Sequence, residues 1–421
     1  MNTDTPNRWM IALAGVLMQV ALGAVYAWSV FRIPLTQTYG WSVSQVTVAF
    51  EVTILVVGFA AFSGGVWMRH TGPRPVAMLA AVLYGSGTVL AGLSHSLTML
   101  YLTYGVIAGV GLGLGYIVPI ATLVRWFPDK RGMITGIAVA GFGSGALITA
   151  PIAQRLITSV GVSRTFVILG IAYFAIIMLA ALVMRNPPEG YAPAGVRPSA
   201  GQGSLAQAFT FRQALRAWQW YGLWLTLFLN TIAGIAIISQ ASPMAQEISH
   251  VSATAAAGLV GIIAIANGSG RFLWAWLSDA IGRKAVFVTM FLVQAVAFLL
   301  LSQVSGFVPL TILSCVILLC YGGGYGTMPS FAADYFGPKD IGSIYGLMLT
   351  AWGAAAVAGP AIIAQVRQAT GAYQGALRVM AIVTLLSAIV PMLLRPPVVR
   401  PTCSQSPLLN PSGRSRTIDA A

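Results

Sequence analysis

The sequence predicts an all-α integral membrane protein of twelve spanning helices arranged as two six-helix pseudo-repeats. Three observations carry this. The chain of 421 residues is 57% hydrophobic and only 8% charged, with mean hydropathy +0.82; soluble domains carry about 25% charged residues. Its apolar residues fall into twelve runs, each near the ~20 residues that cross ~30 Å of hydrocarbon. Landmark glycines and prolines of the first half then recur 210 residues later.

Taken in order, the runs occupy about 9–31, 44–67, 75–94, 98–124, 133–154, 164–184, 218–240, 253–277, 285–305, 307–333, 343–366 and 374–394. The first follows Arg8 and ends in Tyr26-Ala27-Trp28-Ser29-Val30-Phe31. It is longer than an ordinary signal-peptide core and reads as a retained helix. An even number of spans puts both termini on one side. Assigning that side the tails and alternate gaps gives it 17 of the 23 Lys and Arg residues, against five opposite, with Arg271 left inside a run. Positive charge accumulates on the cytoplasmic side, so the expectation is a multi-pass protein of the cell (inner) membrane with both termini cytoplasmic. The gap 185–217, with Asn186-Pro187-Pro188-Glu189-Gly190 and Ser199-Ala200-Gly201-Gln202-Gly203-Ser204, reads as a flexible cytoplasmic linker. It joins an N-terminal half, 1–184, to a C-terminal half, 218–394, and the tail 395–421 reads as disordered. Trp218, Trp220 and Trp224 read as an interfacial belt at the start of the seventh run.

The repeat pairs Gly72 with Gly282, Pro119 with Pro329, Gly132 with Gly342, Gly136 with Gly346 and Gly143 with Gly353, each 210 apart. Phe127 and Phe336 differ by 209, a one-residue adjustment within a loop. Five pairs in register at equivalent gaps exceed what a glycine-rich chain yields by chance. Repeated halves of parallel topology point to a transporter whose site lies between them near the midplane and whose halves rock. Gly105, Gly109 and Gly113, and also Gly111 and Gly115, recur every fourth residue, forming small-residue seams for close helix approach.

Other classes are disfavoured. The net charge of +14 is scattered through short gaps, so it speaks for topology rather than nucleic acid. Three cysteines give neither a disulfide framework nor a metal spacing. His70, His95 and His250 fall between the runs, and no nucleophile–base–orienter set is visible, so neither an enzyme, a metal nor a cofactor is expected. There is no phosphate-cradling loop, so transport is expected to be secondary rather than ATP-driven. A drug or cation exporter of the same fold, and a non-transporting membrane sensor or scaffold, are the other readings of the class.

Three groups of residues are candidates for the site. Arg271 lies about two turns inside the eighth run, in Asn267-Gly268-Ser269-Gly270-Arg271. A cation at such depth costs about 2.5–3.5 kcal/mol on insertion scales, and its planar fork of donors matches a carboxylate. The plainer readings are an ion pair between helices or snorkelling to the cytoplasmic face. Glu51, in the second run, is the clearly intramembrane carboxylate. It serves as a proton carrier, as a charge partner for Arg271, or as a hydrated group near the outer face. Tyr26, Tyr116, Tyr321 and Tyr325, with Trp28, supply rings and hydroxyls at inward positions. Tyr321 and Tyr325 share a helix face, and the intervening glycines are expected to let the backbone unwind where it lines a cavity.

Motifs at the predicted cytoplasmic gaps carry a resemblance. The turn Arg69-His70-Thr71-Gly72-Pro73-Arg74 and its partner Asp279-Ala280-Ile281-Gly282-Arg283-Lys284 resemble the paired loop signatures of the major facilitator superfamily, although Arg69 stands where an acidic residue is usual. Tyr26-Ala27-Trp28-Ser29, Arg125-Trp126-Phe127-Pro128-Asp129-Lys130-Arg131-Gly132 and Asn267–Arg271 are similar to the oxalate/formate antiporter family over all twelve spans. The resemblance implies the major facilitator fold, gating roles for these loops, an anion-binding role for Arg271, and cavity positions for Tyr26, Tyr116, Tyr321 and Tyr325. Arg125, Asp129, Lys130 and Arg131 then either latch helix ends or simply anchor the cytoplasmic side.

Oxalate-transporting relatives also place a lysine in helix 11, where this chain has Trp352. One fixed cation implies one carboxylate, because the second charge of a dianion stays poorly neutralised in low dielectric; Trp352 as plain packing is the alternative. The expected cargo is therefore a small organic anion, a monocarboxylate of the formate, lactate or pyruvate type, moved by exchange or by proton symport. The expected partners are that anion, protons in the symport scheme, and the lipid bilayer, with the chain acting as a monomer.

Overall fold

A computed structural model describes residues 7–188, 191, 209–370 and 373–397, which are overwhelmingly helical and contain no strand. Helix α1 (Arg8–Gly23) passes through a 3-10 turn, Ala24–Ala27, into α2 (Trp28–Tyr39). Helix α3 (Val43–Thr71) starts from a Ser42/Gln45 capping box and stops at Gly72, whose φ of 81° suits glycine. Helix α4 (Pro73–Gly92) follows at once, with proline in its first turn. Helix α5 (Leu97–Leu100), a wider π-helical stretch Tyr101–Ala108, and α6 (Gly109–Trp126) make one continuous span. Helices α7 (Arg131–Val160) and α8 (Val162–Val183) complete the first six.

After the linker's short α9 (Phe211–Arg216) come α10 (Trp218–Ser249), α11 (Ala253–Ile281), α12 (Arg283–Leu301) and α13 (Phe307–Phe336). The eleventh span breaks at Leu349 into α14 (Ile341–Met348) and α15 (Thr350–Thr370). Helices α16 (Tyr373–Ser387) and α17 (Ile389–Leu393) form the last. Among the described residues eleven helices are long and apolar enough to cross a membrane, and Ile341–Ala356 is a shorter apolar one. These correspond to the twelve predicted runs.

Glycine sets how closely the helices approach. A Cβ on Gly105 or Gly113 would meet α3 at Val52 and Ala60, and one on Gly111 would press within 2.3 Å of the Tyr84 nitrogen of α4. The two seams of α6 and its π-helical lead thus face two different neighbours. The glycines of α13 correct the sequence-based expectation. Instead of unwinding, Tyr321–Gly326 stays within one helix. There a Cβ on Gly322 would lie 2.0 Å from the Asn267 carbonyl oxygen, and one on Gly326 would lie 2.0 Å from that of Arg271. The missing side chains let α13 lie against the backbone of α11, which is stable while each backbone keeps its own hydrogen bonds.

Helices α7 with α11 and α3 with α14 carry the most extensive packing between the first six spans and the last six. At the basic end this seam is closed by polar contacts. Asp279, near the end of α11, accepts from the Gly132 and Met133 backbone N–H groups at 2.9 and 2.7 Å. These are unpaired donors at the start of α7, where a carboxylate also opposes the helix dipole. Arg283 pairs with Asp279 at 2.7 Å and with Asp334 at 3.0 Å, and Arg131 reaches Asp334 at 2.9 Å.

The equivalent corner of the repeat is reversed in charge. Arg69 occupies the place of Asp279, and its Nη1 donates to Asp340 at 3.0 Å. Asp340 is buried and also accepts from the Phe211 N–H at 2.9 Å, which ties α9 to the same corner. Arg125 donates to the carbonyls of Pro338 and Lys339, and Arg8 pairs with Asp129 at 2.9 Å. Arg74 and Lys130 are exposed, and Lys284 is half-buried. The sequence stretch read as a flexible linker therefore holds a docked segment: Phe209 is buried, and its N–H donates to the Phe336 carbonyl at 3.0 Å. Residues 189–190, 192–208 and 398–421 lie outside the described residues, including most of the predicted tail.

Two outcomes test this packing. Gly326→Ala should lower the thermal midpoint in detergent by several degrees, as overpacking costs about 1–3 kcal/mol. Gly258→Ala, where nothing lies within 4 Å, should leave it unchanged or slightly raised. Arg69→Asp should loosen the basic end, read as faster thiol modification of Phe211→Cys. Arg69→Lys, which keeps the charge and leaves Asp340 free to hold the Phe211 N–H, should stay near the parent rate if the ion pair is what closes that corner.

Candidate functional site

Arg271 is 1% exposed, among the largest fully buried side chains of the protein. Local sequence explains how it can be so enclosed. A Cβ on Gly270 would sit 1.9 Å from the Leu319 oxygen of α13, and one on Gly143 of α7 would lie 3.0 Å from Gly268. The glycines around Arg271 thus let α7 and α13 close on the same part of α11. Snorkelling to an aqueous face is not what the side chain does.

Its partners come from both sets of six spans. Nη1 donates to the Val139 carbonyl of α7 at 3.3 Å, and Nε donates weakly to Asn267 Oδ1 at 3.5 Å. The guanidinium carbon lies 5.7 Å from the ring centre of Phe142 on α7 and 5.5 Å from that of Tyr325 on α13. Tyr26, Tyr116 and Tyr321 are close enough to interact with it electrostatically. Among the described residues the ion pairs lie at the basic end, and none includes Arg271. The cation is therefore surrounded by dipoles and π-faces rather than by a countercharge.

Beside it lies a cavity of about 720 Å³ whose wall includes Tyr26, Asn267, Tyr321, Trp352 and Glu51. Both chain breaks flank this space. The 3-10 turn carries Tyr26, and the break at Leu349 comes three residues before Trp352. The two rings lie 6.2 Å apart, and Trp352 also meets Tyr325 edge-on at 5.6 Å. A tight 3-10 turn inside a longer helix is a common place for a hinge. Arg271 is not itself in the wall, but its neighbours Tyr26, Tyr321 and Asn267 are, so its field reaches the cavity across those side chains.

The other predicted residues divide. Tyr321 and Tyr325 share a face and pack edge-on at 5.3 Å, with the Tyr325 hydroxyl 3.1 Å from Thr231 Oγ1. Tyr116 is buried against Phe142 at 5.0 Å, behind the cavity rather than on it. Trp28 is not brought to the site. It packs among Tyr104, Phe31 and Phe166, with the Tyr104 ring at 4.3 Å, because the chain has turned into α2 by that point. Glu51 is exposed in the cavity wall, and no ion pair joins it to Arg271 among the described residues. Only Trp218 fits an exposed belt. Trp220 is buried and donates to the Ile344 carbonyl, while Trp224 donates to Thr350 Oγ1 at 3.0 Å.

Sequence reasoning did not single out Phe142, which touches Tyr26, Tyr116 and Arg271 together. It sits next to the repeat landmark Gly143, but an aromatic in an apolar run carries no signal of its own. Asp334 and Asp340, the acidic partners of Arg131, Arg283 and Arg69, were also missed. In a chain with nine acidic residues, an aspartate at the end of an apolar run is itself a usable signal.

Comparison with known proteins agrees with the geometry. The chain matches the family model described as Major Facilitator Superfamily over residues 11–273 and 223–414. It is 28% identical over 362 residues to the oxalate:formate antiporter of Oxalobacter formigenes, covering 84% of this chain and 83% of that one. It is 24% identical over 452 residues to apicoplast pyruvate carrier 1 of Toxoplasma gondii, covering 82% of each. The fold matches that of the human organic anion transporter MFSD10 with a TM-score of 0.73 at 16% identity, over 92% of this chain and 100% of that one. These relatives are transporters, not enzymes. With its family model matched along nearly the whole chain, this multi-pass membrane protein belongs to the Major Facilitator Superfamily.

Proposed function

We propose that the protein is a secondary transporter of small organic anions, and specifically of monocarboxylates of the formate, lactate or pyruvate type, working by alternating access. The observation that carries this is Arg271: a fully buried guanidinium with no carboxylate partner among the described residues, directly behind a cavity wall of tyrosine and asparagine. A carboxylate entering that space exchanges its own hydration for two charge-assisted hydrogen bonds and a cation otherwise left uncompensated. The names of the relatives, an oxalate:formate antiporter and a pyruvate carrier, support the same cargo class.

Trp352 narrows it. Lying in the cavity wall between Tyr26 and Tyr325, it offers a ring and no charge. A dianion such as oxalate would keep a second charge against an apolar surface, a costly arrangement. In this reading the halves 1–184 and 218–394 rock about the Arg271 region. The ion pairs of Asp279 and Asp340 hold the cytoplasmic end shut while the cavity opens outward, and both termini lie in the cytoplasm of a cell membrane. Coupling is by anion exchange or by proton symport, and Glu51 in the cavity wall is the group that separates the two.

In proteoliposomes, Arg271→Gln should cut monocarboxylate uptake about a hundredfold, because a unit charge acting through one layer of side chains is worth about 2–3 kcal/mol at an effective dielectric of about 20. Parent-like uptake by the folded variant would remove Arg271 from the site. Glu51→Gln should abolish stimulation by an inward proton gradient while exchange between carboxylates on the two sides continues. Gradient-driven uptake equal to the parent's would exclude proton coupling through Glu51.

A further inference from the structure

The cavity is far larger than the smallest cargo of the proposed class. A water molecule's share of liquid is about 30 Å³, and formate has the bulk of roughly two waters; the cavity measures about 720 Å³. Most of its wall is aliphatic, including Ile54, Leu55, Ile235, Val260, Ile263 and Leu318. The polar groups nearest Arg271 are Tyr26, Asn267 and Tyr321. A formate or acetate seated there leaves the aliphatic wall wet, and wet apolar surface is unfavourable. A cargo with an apolar body dries it.

Glu51 sharpens the chemistry. It is an exposed carboxylate in the same wall, so a second carboxylate at the far end of a cargo approaches a like charge rather than a cation. Like charges in a partly desolvated site repel. The wall thus selects on both counts, favouring apolar bulk and opposing a second negative end.

We infer that the cavity is built for monocarboxylates bearing an aliphatic or aryl body of butyrate size or larger, with the carboxylate toward Arg271 and the body along the Ile235–Ile263 wall. This rests on the single-carboxylate reading above and replaces its formate-to-pyruvate size range with a larger, apolar body. The carboxylate supplies orientation, and the aliphatic wall supplies graded affinity. Each added methylene that reaches the wall tightens binding about fourfold.

The test uses the full-length purified protein in proteoliposomes, with labelled butyrate as the transported probe and unlabelled acids as competitors. The inhibition constant should fall about fourfold per methylene from acetate through propionate and butyrate to valerate, and benzoate should rank with valerate. Glutarate, which has the length of valerate and a second carboxylate, should compete no better than acetate. Glu51→Gln should narrow the gap between glutarate and valerate. Ile235→Asn should lower the ratio of valerate to acetate competition. A series that is flat or weakens with length, while acetate or formate is still carried, overturns the inference and leaves the single-carboxylate reading intact. Failure of every acid to bind or be carried by the folded protein overturns both.

Discussion

The structure depends on an uncompensated charge. Arg271 sits 1% exposed among α7, α11 and α13, and what surrounds it is enough to hold a guanidinium but not to neutralise it. Phe142 and Tyr325 present π-faces, each worth about 0.5–2 kcal/mol. Val139 and Asn267 accept at 3.3 and 3.5 Å, distances at the long end for hydrogen bonds. Those gains are comparable with the about 2.5–3.5 kcal/mol cost of placing an arginine at membrane depth. The balance is close because the side chain is braced by dipoles, and a net positive field remains beside the cavity.

The glycines determine that this can happen at all. Gly322 and Gly326 bring α13 against the carbonyls of α11, Gly270 brings α11 against the Leu319 carbonyl of α13, and Gly143 brings α7 alongside Gly268. With ordinary side chains at those positions the helices would stand further apart and water would reach the guanidinium. The same closeness joins the two sets of spans at the site: the ring and carbonyl of α7 and the ring of α13 both bear on one side chain of α11. A change in how α7 lies against α11 therefore changes the environment of the charge. That is the physical link between the surroundings of Arg271 and the seam at the basic end.

At that seam the two halves solve one problem with opposite signs. On one side the carboxylate of Asp279 caps the start of α7. On the other Arg69 occupies the corresponding place and Asp340 supplies the negative charge from the opposing loop. A repeat that has drifted apart in sequence keeps the contact by exchanging the charges, and Oδ2 of the buried Asp340 accepts from both Arg69 and the Phe211 N–H. The sequence alone made Arg69 look like a broken motif; the fold shows a substituted pair.

The sequence by itself determined everything that depends on local solvent preference. The spans, the 210-residue register, the expensive depth of Arg271 and the shared face of Tyr321 and Tyr325 all follow from hydropathy and periodicity along the chain. The tertiary structure decided whatever depends on which helices meet. It put Phe142 between Tyr26, Tyr116 and Arg271, took Trp28 out of the site by turning the chain into α2, and made the α13 glycines a packing surface rather than a flexible segment. It also left Glu51 in the cavity wall, unpaired with Arg271 among the described residues. Depth in the membrane is written in one dimension and survives in the sequence. The partner of a buried charge is a three-dimensional fact, set by helix separations of a few ångströms that no run of residues encodes locally.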